Sequence, residues 1–129
     1  MWYRRYFTTG ALTKDLLTNF IRITCANLED ISAIINYKIY DWSNGTPIIL
    51  KTDVIVLDPP EVKFSDINIS TSVYGDSLNA KLYEIRLDIA SKNTIVNIFG
   101  ISDTGIINES NTVLYKNLVH ITRENYNFD

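Results

Sequence analysis

His120, Cys25 and the carboxylates Glu84 and Asp88 are the side chains of this sequence whose chemistry could go beyond packing. A general base, a nucleophile or a metal ligand acts only with partners inside hydrogen-bond reach, and the single histidine and single cysteine stand near opposite ends of the chain. His120 lies between Val119 and Ile121 in a strand pattern, which points it away from their shared face, so a solvent-facing structural histidine is expected. Cys25 alternates with Ile21 and Ile23 and should be a buried, inert thiol. One cysteine also rules out an internal disulfide and any zinc site built from cysteines. Glu84 and Asp88 share one face of a strand but stand roughly 13 Å apart, too far for the paired acids of a glycosidase, and read as a solvated face. No Asp-x-Asp-x-Asp-Gly calcium loop occurs, and the five glycines form no phosphate loop. No catalytic residue, cofactor or metal is therefore expected.

Two groups of residues could instead bind something. Tyr40 and Trp42 flank a hairpin, an arrangement that can stack pyranose rings, and Tyr74 sits in a loop that could join them. The plainer reading is that Trp42 plugs the end of the fold. The second group is the amino-terminal arm, where Trp2, Tyr3, Tyr6 and Phe7 crowd around Arg4 and Arg5. With Lys14, the first fourteen residues carry +3 and no acid, leaving 9 basic and 15 acidic side chains, or −6, in the remainder. So much aromatic surface should be buried, either against a neighbouring copy or as an edge strand of its own domain. Assembly through Trp2, Tyr3, Arg4, Arg5, Tyr6 and Phe7 is the expectation, with copies of the chain as partners.

Positioning these residues falls to β-structure. Phe20 to Ala26 alternates with a period of two, and Ala33 to Trp42 continues the pattern into an Asn44-Gly45 hairpin turn. Ile48 to Leu57 is β-branched and stops at Asp58-Pro59-Pro60. From Glu61 to Ser72 the apolar residues Val62, Phe64, Ile67 and Ile69 change phase around Ser65 and Asp66, which predicts a bulge between two short strands. Thr71 to Lys81 reads as a surface loop. Leu82 to Ala90 and Thr94 to Ile101 are clear strands, and Asn111 to Arg123 supplies one long or two short closing strands. Seven or eight short strands predict an all-β fold, a single antiparallel β-sandwich of jelly-roll type spanning residues 20–129. Residues 1–19, including the weakly helical stretch Ala11 to Asn19, form an arm or connector that should add little to the core.

The 129 residues suit one such domain, and their composition, 46% hydrophobic and 21% charged with mean hydropathy −0.01, is that of a globular chain. A net charge of −3 and a pI near 5.1 argue against nucleic acid as a partner. No apolar run approaches the roughly 18 residues of a membrane span, and MWYRRYFTTG lacks the apolar stretch of a secretory signal. Ile- and Asn-rich wording is what AT-rich genomes write.

Several stretches resemble a known group: Tyr40-Asp41-Trp42-Ser43-Asn44-Gly45-Thr46-Pro47, Tyr83-Glu84-Ile85-Arg86, Ile95-Val96-Asn97-Ile98-Phe99-Gly100, Asp103-x-Gly105, Asn111-Thr112-Val113-Leu114 and Leu118-Val119-x-Ile121. Together they are similar to small β-sandwich proteins of spore-forming Firmicutes, several associated with the exosporium or spore-surface appendages. The resemblance implies a non-catalytic structural subunit that forms a spore-surface layer or fibre and brings no catalytic residues. It implies a place on the spore or cell surface without a secretory signal, the cytoplasm being the alternative. A carbohydrate-binding module using Tyr40, Trp42 and Tyr74 is the rival function.

Overall fold

A computed structural model describes residues 4–69 and 80–127. Among these residues ten strands follow one another as β1 (Arg5–Thr8), β2 (Leu12–Thr13), β3 (Phe20–Asn27), β4 (Ala33–Asp41), β5 (Ile48–Leu57), β6 (Glu61–Asn68), β7 (Leu82–Ala90), β8 (Thr94–Ile101), β9 (Ile107–Val113) and β10 (Val119–His120), and a helix α1 (Arg123–Asn127) comes last. They form two antiparallel sheets packed face to face, an all-β sandwich. The six-stranded sheet runs β10-β1-β7-β4-β5, with β2 also on β7, and the four-stranded sheet runs β6-β3-β8-β9.

A long hairpin is wound across both sheets, as a jelly roll requires. β4 pairs with β5 around the Asn44-Gly45 turn, where Gly45 takes φ +80°. Past the corner at Asp58-Pro59-Pro60 the same ribbon continues as β3 with β6. Alternation fills the core: Ile21, Ile23 and Cys25 from β3 and Val96 and Ile98 from β8 meet Ile35, Tyr37 and Ile39 from β4 and Ile85, Leu87 and Ile89 from β7.

Four expectations change. β6 is one unbroken strand, paired with β3 residue for residue from Phe20↔Asn68 to Asn27↔Glu61. The phase change there is no bulge: Ile67 faces the core while Val62 and Phe64 face out. A bulge falls instead at Ile39/Tyr40, and the β8–β9 register shifts between Ile98 and Gly100. The weakly helical stretch contains the two-residue β2 and a turn, pinned by buried Asn111, which accepts from the Asp15 N–H and the Thr18 hydroxyl and donates to the Thr13 carbonyl. At the carboxy end the closing strands are two short ones, β9 and β10, but β9 starts already at Ile107, a short 3-10 turn over Tyr115–Asn117 separates it from β10, and α1 follows.

The arm is the fourth. Arg5–Thr8 is a strand of the chain's own larger sheet, set between β7 (Phe7↔Leu87) and β10 (Phe7↔His120), and Phe7 belongs to the core at 4% exposure. The folded unit therefore includes residues from both sides of the expected boundary at residue 20. A strand between two neighbours is also not the edge strand that the self-packed alternative required.

Candidate functional site

The outer face of β7 carries Glu84, Arg86 and Asp88, and all three are buried rather than solvated. The chain's two ends cover them. β1 brings Arg4, Tyr6 and Thr8 alongside, and α1 lays Tyr126 over the sheet with its ring 5.5 Å from that of Tyr6. Glu84 accepts from the Trp42 indole N–H at 2.8 Å, from Arg86 Nε at 2.9 Å and from the Thr8 hydroxyl. Burial pushes its carboxyl up, but the Arg86, Thr8 and Trp42 donors outweigh that and hold it below the usual range. Asp88 binds Arg4 at 2.6 Å through Oδ2, while Oδ1 has no hydrogen-bond partner among the described residues. Burial raises its carboxyl, against the opposing pull of Arg4, Arg123 and Lys38. Arg86 also stacks over the Tyr40 ring at 4.6 Å and donates to the Asn125 carbonyl. Lys38 Nζ lies 4.7 Å over the Tyr126 ring and donates to its carbonyl at 3.2 Å. These charges clasp the termini to the sheet, and their hydrogen bonds run between elements of the chain itself.

The expected binding residues are placed accordingly. Tyr40 is fully buried, so its ring presents no face to a sugar, and half-buried Trp42 is turned to Glu84. Tyr74, Trp2 and Tyr3 lie outside the described residues. Arg4 reaches Asp88, Tyr6 reaches Tyr126, and Arg5 donates to the Ser91 and Thr94 carbonyls and to the Tyr115 hydroxyl. His120 is exposed at the sheet edge with its ring 4.4 Å from Phe7. Cys25 is buried, and burial pushes its thiol up to about 12. No group of three His, Cys, Asp or Glu among the described residues could hold a metal ion.

Besides the open strip of Ile34, Val54 and Val56 on the outer face of β4 and β5, two open surfaces stand out. A cleft of about 610 Å³ lies at one end of the sandwich between the Asp15–Asn19 segment and the β8–β9 turn, lined by Leu16, Leu17, Ile106 and Ile107 with Asp15, Asp103 and Glu109. The larger surface is the outer face of the four-stranded sheet. Because Ile21, Ile23 and Cys25 point inward, Phe20, Arg22, Thr24 and Ala26 point out, and the register sets them beside β6 and β8. One row is Val62, Ala26 and Ile95, the next Phe64, Thr24 and Asn97, the next Asp66, Arg22 and Phe99. Val62 is 66% exposed and Phe64 61%. Arg22 sits 4.4 Å over the Phe64 ring and binds both Asp66 oxygens, at 2.7 and 2.9 Å. The sequence reading passed over this face, although the phase change in β6 signalled it.

No protein-family model, curated protein or solved structure matches the chain. No helix among the described residues is long and apolar enough to cross a membrane.

Proposed function

We propose that this chain is a non-catalytic structural subunit that assembles with copies of itself. The reading rests on the contrast between its two outer sheet faces. One is polar where the chain's own termini cover it over β7, with a strip of Ile34, Val54 and Val56 left open on β4 and β5, whereas the other carries exposed aromatic as well as β-branched residues and is uncovered by any described element. An antiparallel sheet open to water normally alternates apolar-in with polar-out, and contiguous exposed aromatic and β-branched residues mark a contact surface instead. The contact therefore belongs to the open face and not to Arg4–Phe7, which are engaged within the chain. A layer or fibre on a spore or cell surface is the setting suggested by the resemblance of the strand-and-turn stretches. Light scattering during size-exclusion chromatography tests the reading: a mass above 14.8 kDa that grows with concentration is expected, and a constant monomer mass overturns it. Retardation of that monomer on a polysaccharide matrix would favour the carbohydrate module instead.

A further inference from the structure

We infer that the open face of the four-stranded sheet docks on the same face of a second copy, about a two-fold axis through the Arg22–Asp66 row. The inference rests on the self-assembly reading and assigns its geometry. Charge is the first argument. The chain carries −3 overall, which opposes most self-contacts, but the charged residues at the outward positions of β3, β6 and β8 are Arg22 and Asp66, which neutralise each other, and the one acid of β9, Glu109, lines the cleft at the end of the sandwich. Two copies can thus approach by this face without like-charge repulsion. A two-fold axis there sets each Arg22 against the other copy's Asp66, completing an alternating ring of four charges.

Area is the second argument. Four strands at about 4.8 Å spacing and eight residues at about 3.4 Å each make a face of roughly 19 by 27 Å. That is roughly 500 Å² per copy in projection and about 1,000 Å² for a pair, the size at which specific interfaces begin. Its make-up is the third. Phe64, Phe20 and Phe99 with one arginine, rimmed by Asn68 and Asn97, match the aromatic and arginine enrichment of interface centres. Face-to-face packing about a two-fold axis closes on itself, so the product is a dimer, and any longer assembly adds a different contact to it.

The test uses the full chain in sedimentation equilibrium. Arg22→Asp makes the face doubly negative and Asp66→Arg makes it doubly positive. Each variant alone should dissociate, with the dimer Kd raised about 30-fold or more, and an equimolar mixture should recover a heterodimer. Phe64→Ser should weaken the dimer by a similar factor without touching charge, which keeps the proposal testable if a charge variant fails to fold. A wild-type chain that self-associates while these variants associate equally well overturns the face and leaves the structural-subunit reading standing. Variants that stay monomeric when mixed overturn the two-fold geometry. A wild-type chain that stays monomeric to about 1 mM overturns both.

Discussion

Replacing Phe7 by alanine tests whether the first strand belongs to its own domain. The ring is 4% exposed, 4.4 Å from His120 and 5.6 Å from Tyr115, and it reaches the core from a strand held on both sides. Phe→Ala at such a site costs about 3–5 kcal/mol, the lost transfer energy together with the cavity left behind. Against a total stability of about 5–15 kcal/mol this is a large fraction. With a urea m-value of about 2 kcal/mol/M, the midpoint should fall by roughly 1.5–2.5 M at unchanged m. The assay is urea denaturation followed by tryptophan fluorescence, in the Arg22→Asp background so that self-association does not add its own stabilisation. A midpoint shift below about 0.3 M would refute the reasoning, since a free arm could lose Phe7 without cost to the fold. A companion measurement uses the chain lacking residues 1–8, which leaves β7 without its β1 partner and should bind a peptide of those residues. If that truncated chain is as stable as the full one, the strand has been misassigned to its own sheet.

The buried carboxylates should show opposite pH behaviour. Glu84 titrates below its ordinary range, so Glu84→Gln should destabilise the fold near neutral pH, with the penalty shrinking as pH falls through the folded pKa. Asp88 titrates above its range, so the stability of Asp88→Asn relative to the parent should rise with pH across the carboxylate region; parallel slopes in urea titrations at pH 3 to 7 would contradict both assignments. Cys25 should react with a thiol reagent only as fast as the protein opens, because burial has raised its thiol to about 12, and rapid labelling without denaturant would place it at the surface. Gly100→Ala should cost about 1–3 kcal/mol, since a Cβ there would stand 2.5 Å from Asn111 Cβ and 3.2 Å from the Asn108 carbonyl; an unchanged melting temperature would show that β8 and β9 can separate.

The strands were legible wherever apolar residues alternated with polar ones along the chain. β7 reads cleanly because Tyr83, Ile85, Leu87 and Ile89 alternate with charged residues, yet the same pattern hid the burial of Glu84, Arg86 and Asp88. Local alternation records which side of a strand meets the core, whereas the covering of the other side comes from β1 and α1, some eighty residues upstream and forty downstream. β1 was illegible for a related reason. A four-residue strand is too short for periodicity to separate it from a free arm, and its register is set by β7 and β10 rather than by its own pattern.

β6 is the most instructive case because its sequence held the information in a form that reads as irregularity. Val62 and Phe64 are even-numbered and Ile67 and Ile69 odd, so a reading that allows one apolar face must break the strand between them. The unbroken pairing with β3 removes that choice, and the apolar residues then occupy two faces of one strand. Ile67 is 4% exposed and is accounted for by the core, whereas Phe64 at 61% has no cover within the described chain. Outward Arg22 is stacked on that ring and locked to Asp66, so the charges of this row cancel within the chain. The break in periodicity at Ser65 thus marks the point where the strand's apolar residues pass from the open face, proposed to meet a second copy, to the face that builds the core.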